Sequence, residues 1–279
     1  MVKKIPLLTI LLLFTMVSAN AAEDIRFKAT SKSSSGDELV LTGKLFKPQG
    51  DGPFPALVLM HGCNGVAQSY VSWAEKINSW GYVTLVLDSF APRGHGNICE
   101  NLAAVTFHTR VQDAYDAKAY LSQHPFVNRQ RIGVMGWSHG GGATLASVSQ
   151  SYLLNMLIVQ GGGSKLPSLS NYLDKTGPFQ AATAFYPWCA GILNDTVSPL
   201  LILAGEKDTW TPAGFCENAM PLEKPKNEII LKVYPNATHA FDMEMPDRVM
   251  YTHKMSYNRQ ATTDATDRVR AFLKKYLQE

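Results

Sequence analysis

Apolar positions along the chain fall into two patterns. Six short continuous runs stand out: "FPALVLMH" (Phe54 to His61), "YVTLVLDS" (Tyr82 to Ser89), "RIGVMGW" (Arg131 to Trp137), "AATAFYP" (Ala181 to Pro187), "PLLILAG" (Pro199 to Gly205) and "EIILKVYP" (Glu228 to Pro235). Runs this short and rich in β-branched residues suit central strands of a parallel sheet covered on both faces. Two earlier runs, "IRFKAT" and "LVLTGKLFKP", flank the polar "SKSSSGDE" and read as two strands around a turn. Helical periodicity fills the gaps, at residues 68–80, Val105 to His124, from His139 onward, and near Pro212 to Leu222. A last helix, "TTDATDRVRAFLKKYLQ", carries acids early and lysines late, as the helix dipole favours. Strands alternating with helices predict a doubly wound α/β fold. Residues 151–180 lengthen one connection and read as a helix extension followed by a glycine-rich loop. Gly161 to Gly163 lack the Lys-Ser/Thr helix start of a phosphate loop.

The first residues stand apart from this pattern. Lys3 and Lys4 precede an apolar stretch from Ile5 to Val17, and Ala19 and Ala21 supply an Ala-x-Ala exit. This is the layout of a secretory signal peptide, and the apolar stretch is short for a membrane span. The reading is a leader over 1–21, one catalytic domain over 22–279, and an exported protein, periplasmic or secreted, without stable membrane insertion. The full chain has 279 residues, 46% hydrophobic and 18% charged, enough for one large α/β domain. Its net charge of +3 falls to +1 once Lys3 and Lys4 leave with no acid. Nothing in that balance points to nucleic acid as a partner. Cys63, Cys99, Cys189 and Cys216 are even in number and far apart, which in an exported chain suits two disulfides with three connectivities open. No close Cys-x-x-Cys pair suggests zinc.

One strand end carries the candidate chemistry. Gly136-Trp137-Ser138-His139-Gly140 lies between an apolar run and a small-residue helix. Glycines on both sides relieve crowding where a strand turns sharply into a helix, and the turn exposes the serine hydroxyl. A serine needs a histidine base, and the histidine needs a carboxylate to fix its tautomer. In such sheets the order is Ser, acid, His. Asp208 follows the run ending at Gly205, and His239 follows the run ending at Pro235. Glu206 is the competing acid. Singly, an aspartate after a strand is ordinarily a turn residue and a loop histidine is ordinarily solvated. Together, in that order and at strand ends, Ser138, Asp208 and His239 form a candidate triad. The oxyanion donors would be the backbone N–H of His139 and that of Cys63 in "HGCNG", with Asn64 next.

The segments "HGCNG", "LDSFAPRG", "RIGVMGWSHGGG", "AFYPWC", "LLILAGEKDTWTP" and "YPNATHAFD" together resemble the dienelactone hydrolase family of α/β-hydrolases, from about Phe54 to Asp242. The resemblance implies an α/β-hydrolase fold with an eight-stranded, mostly parallel sheet, helices on both faces, and a nucleophile–Asp–His triad at Ser138, Asp208 and His239. The chain departs from the family in having serine where dienelactone hydrolases have cysteine. It also has His61 roughly where they carry a glutamate, so it is more similar to an exported serine branch. In this fold the strands ending at His61 and Ser89 are neighbours, as are those ending at Pro187 and Gly205. The resemblance therefore implies the pairs Cys63–Cys99 and Cys189–Cys216. Arg93, in "APRG", is a candidate for a substrate carboxylate, with a loop-holding role as the competing reading. Trp210 is a candidate pocket residue, as are Trp188 and Phe241, although all three also suit plain packing. The expected activity is hydrolysis of a small-molecule carboxylic ester or lactone through an acyl-enzyme, which requires no metal or organic cofactor. A peptidase of the prolyl oligopeptidase type and a non-catalytic binding protein are the alternatives.

Overall fold

The computed structural model describes residues 22–33, 36–160 and 168–279. Residues 1–21, read from the sequence as a leader, and Gly161 to Gly163 lie outside the described residues. Eight strands form one sheet: β1 (Glu23–Lys32), β2 (Glu38–Phe46), β3 (Phe54–Met60), β4 (Val83–Asp88), β5 (Val127–Trp137), β6 (Ala182–Phe185), β7 (Leu200–Gly205) and β8 (Ile229–Tyr234). Their spatial order is β1-β2-β4-β3-β5-β6-β7-β8. β1 and β2 pair antiparallel, as do β2 and β4, and every later pairing is parallel. This is the α/β architecture that the alternation predicts.

The helices are α1 (Gln68–Asn78), α2 (Phe107–Leu121), α3 (His139–Ala146), α4 (Gln150–Val159), α5 (Ser170–Thr176), α6 (Ala213–Ala219) and α7 (Arg259–Leu277). The period of two in each central strand divides the core into layers. Ala56, Val58 and Met60 of β3 pack with Phe107 and Val111 of α2, Leu145 of α3 and Tyr152 of α4. The intervening Leu57 and Leu59 pack on the other face with Trp73 and Ile77 of α1 and Val269 and Leu273 of α7. Strands buried on both faces have no polar side, hence the unbroken apolar runs.

The long connection after α3 contains α4 and α5. A two-stranded hairpin, β9 (Arg248–Met250) and β10 (His253–Met255), stands outside the main sheet and has no counterpart in the sequence reading. Among the described residues no helix is long and apolar enough to cross a membrane. Cys63 is bonded to Cys99, and Cys189 to Cys216.

Candidate active site

The parallel strands β3, β5, β6, β7 and β8 end along one edge of the sheet, and the site is assembled from the loops beyond them. β5 runs into α3 through a single residue, Ser138, whose φ of 53° and ψ of −116° lie outside ordinary strand and helix geometry. Its N–H donates to the Phe185 carbonyl at 2.9 Å, and its carbonyl accepts the first α3 bond from Gly142 at 2.9 Å. The glycines make this turn fit. A Cβ at Gly136 would lie 2.2 Å from the Gly140 carbonyl oxygen, and one at Gly140 would lie 2.0 Å from that of Met60. The backbone of α3 thus touches the end of β3 directly.

Ser138, His239 and Asp208 meet in a hydrogen-bonded chain. His239 Nε2 lies 2.9 Å from Ser138 Oγ, and His239 Nδ1 lies 2.7 Å from Asp208 Oδ2. An Nδ1–H donating to the carboxylate leaves Nε2 to accept the serine proton. Asp208 and His239 are each 3% exposed. Asp208 Oδ1 accepts the N–H groups of Trp210 at 2.8 Å and Thr211 at 2.9 Å, and Oδ2 accepts the Thr211 hydroxyl at 2.8 Å. Burial pushes this carboxyl up, but the hydrogen bonds and charge of His239 and the donors of Thr211 outweigh it, and the net shift is downward. The acid and histidine loops are laced together, Lys207 N–H to the Ala237 carbonyl at 2.8 Å and Glu206 N–H to that of Tyr234 at 2.9 Å. Glu206 itself points away; it is exposed and accepts from Asn236 N–H at 3.0 Å.

The loop after β3 is clamped on several sides. The Gly62 N–H donates to the Tyr70 hydroxyl at 3.0 Å, and its carbonyl accepts from His61 Nδ1 at 2.8 Å. The Cys63 carbonyl accepts from Ile98 N–H at 2.8 Å, and the Cys63–Cys99 bond anchors the side chain. Gly62 and Cys63 border Ser138 in a cleft that is also lined by Tyr70, Trp210, Met243, Arg248 and Met250. His61 is buried and accepts Ser89 N–H on Nε2 at 3.3 Å. Burial and then the charge of Arg110 hold it well below the usual histidine range, so it is neutral.

For Arg93, Trp188 and Phe241 the side chains lie as the competing readings describe. Arg93 is not among the residues lining the cleft. Both terminal nitrogens bond Asp113, at 2.8 Å each, and they also donate to the Ser89 carbonyl and the Ser31 hydroxyl. Its fork is committed to a buried carboxylate, so it holds the loop after β4 rather than facing a substrate. Trp188 stacks on Phe215 away from the cleft, and Phe241 is core. Trp210 does line the cleft and lies against the His239 ring, centroids 5.1 Å apart.

Several contributors escaped the sequence reading. The β9–β10 hairpin lends Arg248, Met250 and Met255 to the cleft, and Met255 bridges to His239 through the backbone. Asp242 is buried and accepts from Trp73 Nε1, Trp137 Nε1 and the Tyr186 hydroxyl at 2.8, 2.9 and 2.7 Å. It therefore joins the residue before Ser138 to the loop after His239. Its place in the quoted "YPNATHAFD" segment was the one available signal.

Comparison with known proteins gives the fold and the family. The chain is 28% identical over 124 residues to the thiohydrolase aneE of Aspergillus aculeatus, covering 44% of this chain and 37% of that one. It is 24% identical over 236 residues to the uncharacterized peptidase YuxL of Bacillus subtilis, covering 73% of this chain and 34% of that one. The chain thus spans about a third of the length of these two curated relatives. A thermophilic esterase from Thermogutta terrifontis has the same fold, with a TM-score of 0.61 at 16% identity, over 92% of this chain and 93% of the esterase. The dienelactone hydrolase family model matches residues 41–277, and the chain belongs to that family of α/β-hydrolases.

Proposed function

We propose that the protein is an exported serine hydrolase that cleaves a small-molecule carboxylic ester or lactone. The observation that carries this reading is the unbroken Ser138–His239–Asp208 hydrogen-bond chain, with Ser138 opening on a cleft. Ser138 Oγ attacks the carbonyl carbon while its proton passes to His239 Nε2. Negative charge then develops on the carbonyl oxygen, and the N–H groups of Cys63 and His139 receive it. Such donors are worth about 10²–10³ in rate apiece. Collapse of the tetrahedral species breaks the bond to the leaving oxygen, which takes the proton from His239. Water, deprotonated by His239, attacks the acyl-enzyme, and the carboxylic acid departs from Ser138. Asp208 keeps Nδ1 protonated throughout and offsets the charge of the imidazolium.

The family supports hydrolysis, and two disulfides suit an oxidising compartment. The leader at 1–21 and a single domain over 22–279 complete the proposal. The test is hydrolysis of p-nitrophenyl esters, acetate through octanoate, by the mature protein made in an oxidising compartment, with Ser138→Ala beside it. Turnover that disappears in the variant supports the mechanism. Turnover that persists in Ser138→Ala, or cleavage of peptide p-nitroanilides in preference to every ester, contradicts it.

A further inference from the structure

Arg110 is the largest charged side chain in the interior, and it is completely buried in α2. Among the described residues its terminal nitrogens bond no carboxylate. One donates to the His61 carbonyl at 3.0 Å, and the other to His139 Nδ1 at 3.2 Å. Its guanidinium carbon lies 4.9 Å from the centre of the Phe90 ring, and the His139 ring is stacked on Phe107 at 4.5 Å. Burial lowers its pKa to about 10, with Asp113 the first of the charges that hold it up, so it stays a cation at neutral pH. Burying a cation without a bonded anion is costly, and an apolar side chain of similar volume commonly serves stability as well or better. The fold therefore retains Arg110 for what it touches.

What it touches is a backbone carbonyl two residues before Cys63 and the side chain of His139. His61 opens the loop that carries Cys63, and His139 is the first residue of α3. These segments come from different elements, β3 and α3, and they meet backbone to backbone at Met60 and Gly140. The planar fork spans that junction from inside. We infer that Arg110 is the positioning residue of the oxyanion hole, setting the separation of the Cys63 and His139 N–H groups through the His61 carbonyl and the His139 ring. Its charge, on the protein side of both donors, also favours negative charge on the substrate oxygen, in a site where little water screens it. Because Arg110 donates to Nδ1, the His139 ring is neutral and bears its proton on Nε2, which has no partner among the described residues. That ring acts as a fixed strut.

The inference rests on the ester-hydrolase reading, and the experiment separates the two. Steady-state kinetics on p-nitrophenyl butyrate compare wild type with Arg110→Met, Arg110→Lys and His139→Phe, all assayed well below their melting temperatures. The affinity of an aryl trifluoromethyl ketone, whose adduct places an oxyanion in the hole, is measured on each. Misplacing both donors by a fraction of an ångström is expected to lower kcat about 10²-fold in Arg110→Met while KM moves less than about threefold. Ketone affinity should fall in parallel, Arg110→Lys should recover part of the loss, and Arg110→Met/His139→Phe should lose little beyond Arg110→Met alone. A purely structural role would lower the melting temperature and leave kcat and ketone affinity near wild type, and that result overturns the inference. If Arg110→Met does not fold, His139→Phe, which breaks one arm and keeps the backbone N–H, decides in the same way with about a 10-fold expected loss. A folded wild type inert to every ester and to a fluorophosphonate probe would bring down the functional reading and this inference with it. Wild-type activity abolished by Ser138→Ala but untouched in the Arg110 and His139 variants would bring down this inference alone.

Discussion

Replacing Asp208 by asparagine changes one oxygen to an amide nitrogen, and the surrounding donors dictate which. Oδ1 accepts two backbone N–H groups, from Trp210 and Thr211, so the asparagine must present its carbonyl oxygen there. Its NH₂ then occupies the Oδ2 place, 2.7 Å from His239 Nδ1. A donor facing Nδ1 forces that nitrogen to accept, and the imidazole proton moves to Nε2. Nε2–H then points at Ser138 Oγ, 2.9 Å away, and cannot take the serine proton. Selecting the wrong tautomer in such a triad costs roughly 10⁴ in kcat, or about 5.5 kcal/mol of activation free energy. The change is isosteric and keeps the two backbone bonds, so the protein stays folded. The assay is kcat on p-nitrophenyl acetate, with thermal unfolding followed by circular dichroism. Glu206→Gln is the control; Glu206 is exposed and outside the triad, and activity is expected to match wild type. A folded Asp208→Asn protein within tenfold of wild type, or an equal loss in Glu206→Gln, refutes the tautomer argument.

Arg93→Met leaves the Asp113 carboxylate buried without its bidentate partner, so it should cost about 3–5 kcal/mol in urea denaturation while KM for a carboxylate-bearing ester stays unchanged; a rise in that KM at unchanged stability would restore Arg93 to the substrate. Replacing Cys63 and Cys99 together by serine opens a loop of 36 residues, and the expected loss is about 3–4 kcal/mol on the chain-entropy account. kcat should fall further than in the Cys189/Cys216 double variant, because only the first bridge anchors the loop after β3, where the proposed oxyanion donor Cys63 lies. Acid should also destabilise the protein through two buried histidines. Burial and the charge of Arg110 hold His61 and His139 well below the usual histidine range, whereas the unfolded chain protonates them at about pH 6.5. The unfolded state therefore binds more protons below that pH, and stability falls by up to about 1.4 kcal/mol per pH unit for each histidine. Asp208, shifted downward, adds its own loss only below about pH 3.9. Urea denaturation from pH 8 to pH 5 should show a shallower slope in His139→Phe, and an unchanged slope would count against the neutral buried ring. Comparing the two proteins cancels the opposite-signed uptake by Asp113 and Asp242, whose carboxyls burial pushes up.

The strands β3 to β7 were legible because burial on both faces writes an unbroken apolar run, whereas β8, expected as central, closes one edge of the sheet and is half-buried. The three residues drawn from strand ends, Ser138, Asp208 and His239, were legible because the sheet carries strand ends to one edge. What stayed hidden depends on contacts between distant segments. Arg110 reads as a polar position in a helical pattern, and only the packing of α2 beneath β3 and α3 reveals its bonds. Arg93 was placed correctly after a strand, but its partner Asp113 lies twenty residues away on α2. The β9–β10 hairpin left no signal: its strands are three residues long, Val249 is exposed, and Tyr251 and Thr252 turn at positive φ without glycine or asparagine. Helix ends follow local chemistry. The Thr106 side chain caps Thr109 N–H, so α2 begins at Phe107 rather than at Val105.

Covalent labelling asks whether Ser138 is the nucleophile. The mature protein is incubated with a fluorophosphonate, and the adduct is located by peptide mass spectrometry. One adduct per chain is expected, on the peptide containing Ser138, absent from Ser138→Ala and suppressed by competing ester. A folded wild-type protein that takes no label, or one labelled at another residue and equally in Ser138→Ala, would contradict that role.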